Sequence, residues 1–394
     1  MRPLGATEGF SLTELLIASL IAMAIMGAAL SITRQAQHTF ESQPEQADVQ
    51  QRIRVGVEAL RQDLVMAGAG TFLGPALGAL NRVLSPVMPY RAFGDAPDPA
   101  QGMRFRSDVI SLMYVPSTAA QAALSSPLSA GALDIQLAPA PSCPVATAAQ
   151  LCGFSAGVRA LIADAIGHWD VFRVETIGAA VITLGHRGAS TVVDYPAGSP
   201  VAEVRLATYS LKLDSSGISQ LVRHDGWATE LPIVDHVVTM NFAYLGEAEP
   251  PRLIGAPLDG GGDAATTYGL KPPPIGETQG GWPPGENCTF RVVDGVHVPR
   301  LAVLPGGGLT DLPPVLLTDG PWCPDSSAPN AFDADLLRIR SVRVTLRVQS
   351  AIASLRGPAG MLFRNGGTAR GSDRYVPDVE VRFDVTPRNL GLGY

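Results

Sequence analysis

Residues 10–33 read FSLTELLIASLIAMAIMGAALSIT, and this apolar stretch decides the fold. Its only formally charged residue is Glu14. As an α-helix rising about 1.5 Å per residue, the stretch is about 36 Å long, whereas the hydrocarbon core of a bilayer is about 30 Å thick. The stretch therefore predicts a membrane-spanning helix near the N-terminus.

The junction before this span carries a specific pattern. The short hydrophilic segment MRPLGATEG ends in Gly9, Phe10 follows it, and Glu14 is the fifth residue beyond the glycine. This pattern resembles the leader junction of type IV pilins and related pseudopilins, in which a membrane-embedded prepilin peptidase cuts after the glycine and methylates the new amino terminus. The resemblance implies residues 1–9 as a leader peptide, cleavage between Gly9 and Phe10, and N-methylation of Phe10.

Glu14 needs a physical reason, because a carboxylate inside an apolar span costs roughly 2.5–3.5 kcal/mol. Cleavage creates a free amine on Phe10, which lies four residues before Glu14 and therefore on the same helix face. The amine that pairs with Glu14 belongs either to the same chain or to a neighbouring chain whose helix packs in the same bundle. The helix dipole also favours an anion in the first turn. We interpret Glu14 as an assembly residue; the alternative is a carboxylate that merely reaches the headgroups.

An ordinary secretory signal is the competing interpretation of the span. Such a signal has a positive segment before a shorter, uncharged apolar region and is cleaved after that region. Here Arg2 is balanced by Glu8, and the small-residue site Ala22–Ala24 lies in the middle of the apolar stretch. The positive-inside rule predicts a cytoplasmic leader and a head on the other side of the membrane.

The composition predicts a head of strands and loops. Charged residues make up 16 % of the 394-residue chain, whereas glycine and proline are abundant, with 42 and 33 residues. Low charge with many turn-forming residues favours strands and loops over helices. The net charge of −7 argues against nucleic-acid binding, which needs clustered lysine and arginine.

The helix is predicted to continue beyond the membrane through residues 34–70. Apolar residues recur every three or four positions, at Val49, Ile53, Val57, Leu60 and Leu64, while the other faces hold Arg52, Arg54, Glu58, Arg61 and Asp63. This spacing predicts an amphipathic helix with one buried stripe. Pro44 is expected to bend the helix or to start a second segment, and the glycines of residues 67–70 to end it.

A β-rich head is predicted for residues 71–245, after a connecting loop over 71–106. Apolar runs and period-two alternation predict strands at 107–115, 133–137, 158–163, 169–177, 181–184, 204–213, 219–224 and 238–244. The chain is expected to end in further strands within residues 336–394, where apolar and polar residues alternate over 379–385.

Parts of the head carry a narrower resemblance. They are residues 209–211, 221–223, 237–244, 342–348 and 387–389. These stretches resemble the heads of PilW-type minor pilins and of the J-type pseudopilins of type II secretion. The leader and helix that carry the broader resemblance cover less than a fifth of the chain.

Residues 246–335 break the strand pattern with repeated proline and glycine steps, and we interpret them as a surface insertion or small subdomain. The chain has four cysteines, all beyond the span, where an extracytoplasmic head would allow oxidation. Four cysteines allow three pairings, of which the local choice is Cys143–Cys152 with Cys288–Cys323. Zinc is a less favoured alternative, because the chain has no C-x-x-C pair. Calcium at residues 259–263 is the alternative to a flexible acidic turn.

No catalytic motif stands in its expected context in the sequence. The chain lacks H-E-x-x-H and G-x-x-x-x-G-K patterns, and its one G-x-S-x-G string, at residues 153–157, directly precedes a predicted strand rather than joining a strand to a helix. Its six histidines show no ligand spacing. We therefore expect a protein that is not an enzyme and uses no cofactor.

Together these observations predict an α+β, pilin-like fold: a long N-terminal helix, membrane-spanning over residues 10–33, packed on an antiparallel β-sheet head. The implied function is that of a minor pilin-like subunit that helps initiate assembly of a type IV pilus. Its partners would be prepilin peptidase, other major and minor pilins contacted through the N-terminal helices, and the inner-membrane assembly platform. It would span the inner membrane once, with a periplasmic head, and then reach the pilus or cell surface. The alternatives are a type II secretion pseudopilin and a membrane-anchored adhesin or ligand-binding module.

Overall fold

The computed structural model describes residues 11–70, 84–91, 105–116, 120–138, 151–178, 181–185, 193–226, 229–254, 265–328, 330–358 and 375–390. The chain divides into two compact units. Unit 1 comprises residues 1–52 and 348–379, and unit 2 comprises residues 53–347 and 380–394.

One long helix, α1 (Leu12–Met66), opens the described chain and runs for 55 residues. Pro44 lies inside this helix. The residues after Pro44 therefore continue α1 and do not form a second helix. Proline removes one backbone donor from a helix interior, and α1 continues through this position. The helix ends at the glycine-containing stretch after Met66, as predicted.

In unit 1, an arginine links α1 to the segment that follows the last long strand. The Arg52 Nη2 atom lies 2.9 Å from Glu45 Oε1 and 2.6 Å from Asp48 Oδ2. Arg52 Nη1 donates to the Gln349 carbonyl at 3.1 Å, and the Glu45 carboxylate accepts from the Ala351 N–H. The contacts of Arg52 thus join two parts of unit 1 that are far apart in sequence.

The strands of the described residues are, in chain order, β1 (Val87–Pro89), β2 (Ile110–Tyr114), β3 (Gln121–Leu124), β4 (Asp134–Ala138), β5 (Arg159–Ala163), β6 (Trp169–Ile177), β7 (Val181–Gly185), β8 (Pro200–Glu203), β9 (Arg205–Leu213), β10 (Ser219–His224), β11 (Glu230–Asp235), β12 (Val237–Glu247), β13 (Leu253–Ile254), β14 (Ala265–Thr266), β15 (Phe290–Val293), β16 (Val296–Pro299), β17 (Leu309–Leu312), β18 (Trp322–Cys323), β19 (Phe332–Asp333), β20 (Ile339–Val348) and β21 (Val379–Val385).

A five-stranded antiparallel sheet is the first large element of unit 2, with the order β1-β2-β9-β10-β11. Its strand β1 lies within residues 71–106, which the sequence analysis treats as a loop. Strands β5, β6, β9, β10 and β12 confirm the strands predicted at 158–163, 169–177, 204–213, 219–224 and 238–244.

A closed barrel is inserted between two neighbouring strands of that sheet, β2 and β9. Its order is β3-β4-β7-β6-β5-β8, and pairing of β3 with β8 closes the ring. The barrel has its own apolar core, which includes Ile135, Phe154, Phe172 and Val201. Its two ends meet, because the Glu203 N–H donates to the Ala120 carbonyl at 2.7 Å. Several of these strands were predicted from the sequence, but their closure into a barrel was not.

A four-stranded sheet, β17-β12-β20-β21, is the third element. Its edge strand β17 belongs to the predicted insertion 246–335, which therefore supplies a strand to this sheet. The same region forms the two-stranded ribbons β13-β14, β15-β16 and β18-β19. The predicted combination of an N-terminal helix with β-sheet is confirmed, and the body after the helix is mostly β.

Candidate membrane and assembly site

The N-terminal half of α1 exposes apolar side chains that the rest of the protein does not cover. The 22 residues Leu12–Thr33 are long and apolar enough to cross a membrane, and none of their most apolar window is buried. Even the most sheltered of the large side chains, Ile21, is 52 % exposed. An apolar surface of this size marks contact with a membrane or with another protein. By length and composition, this N-terminal helix meets the criteria for a membrane anchor and for a signal sequence.

Glu14 has a local partner at the start of this helix. Its Oε2 atom accepts a hydrogen bond from the Ser11 backbone N–H at 2.9 Å, and the Glu14 N–H donates to Ser11 Oγ at 3.3 Å. This reciprocal pair is a capping box, which satisfies backbone donors that lack partners in the first turn of a helix. The role of Ser11 was not predicted from the sequence, although residues 11–14 have the Ser-x-x-Glu spacing of a capping box.

The predicted cleavage residues Gly9 and Phe10 lie outside the described residues, as do residues 259–263, for which calcium was the alternative to a flexible acidic turn. Their proposed roles therefore remain predictions. The structure places Glu14 in the first turn of α1, on the exposed apolar segment, as the sequence analysis expects.

The C-terminal half of α1 packs closely in unit 2. Ile53, Leu60 and Leu64 are buried, as predicted, and Gly56 is buried between them. A β-carbon added at Gly56 would lie 2.9 Å from the Leu346 side chain and therefore would not fit without a shift. The missing side chain lets this part of the helix approach the strands closely.

Asp63 is buried, with 5 % of its surface exposed. The prediction that it lies on an exposed face of the helix is therefore wrong. Its Oδ1 atom accepts from the Tyr114 hydroxyl at 3.0 Å. Its Oδ2 atom accepts from the Tyr209 hydroxyl and from Arg223 Nε, each at 2.7 Å. A buried carboxylate is tolerated when it is paired and hydrogen-bonded in this way. The tyrosines come from β2 and β9 and the arginine from β10, so one helical carboxylate binds three strands of the five-stranded sheet.

Burial and neighbouring charges shift the pKa values of the three groups that bind Asp63. Burial raises the pKa of both tyrosine hydroxyls, and the negative charge of Asp63 raises them further. Burial lowers the pKa of Arg223, but the hydrogen bond and the charge of Asp63 outweigh this effect and raise it overall. The tyrosines therefore stay protonated as donors, and the arginine stays charged.

The predicted disulfide Cys288–Cys323 is present, with both cysteines fully buried. The bond joins Cys288, which lies just before β15, to Cys323 in strand β18, 35 residues later in the chain. Cys152 is also disulfide-bonded, whereas Cys143 lies outside the described residues. Since Cys288 and Cys323 bond each other, the zinc alternative for these two cysteines is excluded.

In the part of the chain that the structure describes, no group of three or more His, Cys, Asp or Glu side chains is placed to hold a metal ion. One buried ion pair joins Arg338 to Asp335. Arg338 is fully buried, donates to Asp335 Oδ1 at 2.5 Å and to the Ala248 carbonyl at 3.0 Å, and so connects β12 to the turn before β20. These groups support the fold.

Comparisons with known proteins found no match for the chain among family models, curated proteins or solved structures.

Proposed function

We propose that this protein is a pilin-like structural subunit, anchored by Leu12–Thr33 and built into a type IV pilus as a minor component after prepilin peptidase removes residues 1–9. The observation that carries the proposal is a single helix whose first half is wholly exposed and apolar while its second half is packed in a β-rich unit. A helix of this kind supports a role in which the same segment first lies in the bilayer and then packs against other helices.

The acidic residue at the start of the exposed segment supports assembly over simple anchoring. A hydrophobic anchor needs no carboxylate, and an apolar span inserts better without one. Glu14 caps the helix and also presents a negative charge near the residue that would carry the new amine. On this proposal the partners are other pilins, through their N-terminal helices, and the inner-membrane assembly platform. A type II secretion pseudopilus is the alternative filament.

The inserted barrel favours one different function, a membrane-anchored binding module. A closed barrel with its own core is a unit that the helix does not need for anchoring. In this alternative the helix holds the chain at the membrane, and the barrel or the 246–335 region contacts a ligand.

Mass spectrometry of the mature N-terminus tests leader cleavage, the first step that the pilus and the pseudopilus proposals share. The full chain is expressed in a host that carries a prepilin peptidase, and a Gly9→Leu variant serves as the control. We expect a methylated N-terminus at Phe10 in the natural chain and an uncut chain in the variant. A natural chain that keeps Met1, or that begins after Ala24, would contradict the proposal.

A further inference from the structure

One histidine, His168, lies between the inserted barrel and the disulfide-bonded region of unit 2. His168 lies in the turn between β5 and β6, and its side chain is 13 % exposed. Its Nδ1 atom lies 2.7 Å from Asp164 Oδ2, and its Nε2 atom lies 3.5 Å from Asp325 Oδ2. Asp164 belongs to the barrel, whereas Asp325 follows the disulfide-bonded Cys323. A protonated imidazole has a donor on both nitrogens, so this ring bridges the two regions when it is charged.

Both carboxylates are held in position by hydrogen bonds to their other oxygen. Asp164 Oδ1 accepts from the N–H groups of Ile166, Gly167 and His168 at 2.8 to 3.0 Å. Asp325 Oδ1 accepts from the Ser327 and Ala328 N–H groups at 2.8 and 3.0 Å. Each carboxylate thus fixes a local turn with Oδ1 and keeps Oδ2 for the imidazole ring. The arrangement is preformed on both sides.

A second contact between the same two regions does not depend on the charge of the histidine. Asn330 Nδ2 donates to the Trp169 carbonyl at 2.8 Å and to Asp170 Oδ1 at 3.2 Å, and the Tyr195 hydroxyl donates to Asp170 Oδ2 at 2.8 Å. Burial raises the pKa of Asp170, partly offset by the Tyr195 hydrogen bond and the charge of His168. Among the described residues, the titratable groups in this cluster are Asp164, Asp170, Asp325 and Tyr195, and His168 is the group that becomes a cation.

We propose that His168 is a pH-dependent latch that holds the segment after Cys323 against the barrel when the imidazole is protonated and releases that segment when the imidazole is neutral. Besides this latch, the barrel contacts the rest of unit 2 through the Asn330 hydrogen bonds, through its adjoining ends at Ala120 and Glu203 and through the Arg159–Asp225 ion pair at 2.6 Å. The latch thus acts on a module that the chain enters and leaves at one place.

The electrostatics give the direction of the switch. Burial lowers the pKa of His168, but the hydrogen bond to Asp164 and the charges of Asp164 and Asp325 outweigh it and raise the pKa above its usual 6.5. Burial raises the pKa of Asp325, but hydrogen bonds from Ser327 and the charge of His168 lower it overall. A raised histidine pKa stabilises the closed state fully below the unfolded value, and this contribution is lost as pH rises through the folded value. The latch is closed in acid and opens in alkali.

Two measurements on the full chain in detergent micelles test the latch. The first is an NMR titration of the histidine ring signals, with the His168 signal assigned by its loss in His168→Gln. The second is hydrogen exchange of residues 323–330 between pH 5.5 and 9, corrected for the intrinsic pH dependence of exchange. Asp325→Asn is the informative variant, because the amide oxygen still accepts the Ser327 and Ala328 N–H bonds while the charge is lost. His224→Gln is the control, since His224 Nδ1 accepts from Gly226 within its own turn.

We expect the natural chain to show a His168 pKa above 6.5 and several-fold faster exchange at 323–330 once His168 is neutral. In Asp325→Asn the His168 pKa falls, and in His168→Gln the exchange is fast at every pH. His224→Gln matches the natural chain. If the His168 pKa does not respond to Asp325→Asn, or if exchange at 323–330 does not follow the titration, the latch is refuted.

Discussion

The Asp63 carboxylate accepts a hydrogen bond from the Tyr209 hydroxyl at 2.7 Å, and this contact joins the last turn of a 55-residue helix to the central strand of the five-stranded sheet. The same hydroxyl lies 2.9 Å from the Ala59 carbonyl, one helical turn earlier. Because Asp63 also binds Tyr114 and Arg223, a rotation or shift of the helix would break several buried polar contacts together. Leu60 and Leu64 supply apolar burial beside this network, and Asp63 defines the position of the helix.

Replacing Asp63 with alanine should therefore destabilise unit 2 strongly. The variant takes the Asp63 acceptor from Arg223 and from the Tyr114 hydroxyl, while the Tyr209 hydroxyl keeps the Ala59 carbonyl. Breaking a buried ion pair in this way costs roughly 3–5 kcal/mol. Denaturant unfolding of the full chain in micelles measures the change. Glu58→Ala is the control, since Glu58 is exposed on the same helix and its loss should cost about 0.5 kcal/mol or less. Equal effects of the two variants would mean that the buried network does not hold the helix.

Two buried tyrosines should respond oppositely to removal of their hydroxyl groups. Within the described residues, the buried Tyr244 hydroxyl has no hydrogen-bond partner, whereas that of Tyr209 has two acceptors. Tyr244→Phe should stabilise the protein by about 1 kcal/mol, because an unsatisfied polar group leaves the interior, and Tyr209→Phe should destabilise it by about 1–3 kcal/mol. The edge-to-face contact with Tyr90, whose ring centroid is 5.4 Å from that of Tyr244, survives in Tyr244→Phe. Thermal unfolding of the two variants in parallel tests the contrast, and a loss of stability in Tyr244→Phe would contradict it.

Asp333 should make stability fall as the pH rises. Burial raises its pKa to about 7, against hydrogen bonds from the Asp335 and Gly320 N–H groups that lower it. A carboxyl group with a raised folded pKa stabilises the protein fully below the unfolded value of 3.8, and this contribution is lost as pH increases through about 7. Asp333→Asn should remove that loss, so its stability relative to the natural chain should rise between pH 4 and 8.

Urea midpoints at several pH values measure the Asp333 effect. Asp384→Asn is the control, because Asp384 is exposed and its hydrogen bond to Arg343 lowers its pKa, so the variant should not remove the decline. Parallel pH profiles for Asp333→Asn and the natural chain would show that Asp333 titrates normally.

The barrel should fold without the rest of the chain. The apolar core of the barrel consists of residues of the barrel itself, and the ends of the barrel at Ala120 and Glu203 are hydrogen-bonded to each other. A fragment of residues 120–203 should therefore give dispersed NMR signals and cooperative thermal unfolding. Phe172→Ala in the same fragment should abolish folding, because emptying the site of a fully buried phenylalanine costs about 3–5 kcal/mol. An unfolded natural fragment would show that the barrel depends on unit 2 around it.

The sequence predicts the local features of this fold and misses those that depend on distant pairing. The period of Val49, Ile53, Leu60 and Leu64 predicts the buried stripe of the helix, because that pattern is contained in neighbouring turns. Barrel closure depends on the pairing of β3 with β8, about 80 residues apart in a chain whose alternating strands fit many partners. No pattern along the chain specifies that register.

The burial and the roles of polar residues are the second group of features that the sequence did not predict correctly. Asp63 is predicted to be exposed because carboxylates rarely lie in cores, yet its three partners come from three separate strands and compensate its burial. Ser11 is the opposite case, since its capping role is contained in the four residues 11–14 and was predictable. The Cys288–Cys323 pair follows from the preference for local pairing, whereas the charge cluster at His168 joins residues 157 positions apart.

Substitutions at the first turn of α1 should separate the two roles of Glu14, capping and charge. Gln replaces Glu in a capping box, so Glu14→Gln keeps the cap and removes the charge. Ser11→Ala removes the serine acceptor and keeps the charge. Glu14→Ala removes the charge and the side-chain acceptor of the Ser11 N–H, while the Ser11 hydroxyl stays. On the proposed function the charge pairs with a Phe10 amine, and its loss leaves that amine buried and unpaired, at roughly 3–5 kcal/mol. We therefore expect Glu14→Gln and Glu14→Ala to be processed yet missing from filaments, and Ser11→Ala to be incorporated.

The measurement compares processed protein in the membrane with protein in sheared filaments, for all three variants and the natural chain. Processing provides the internal control, because a variant that is cut has been inserted in the correct orientation. If capping were the role that matters, Glu14→Gln would be incorporated and Ser11→Ala would fail. If all three variants behaved like the natural chain, Glu14 would be dispensable for assembly, and the membrane-anchored binding module would become the better account of the helix, since an anchor requires only that Leu12–Thr33 remain apolar.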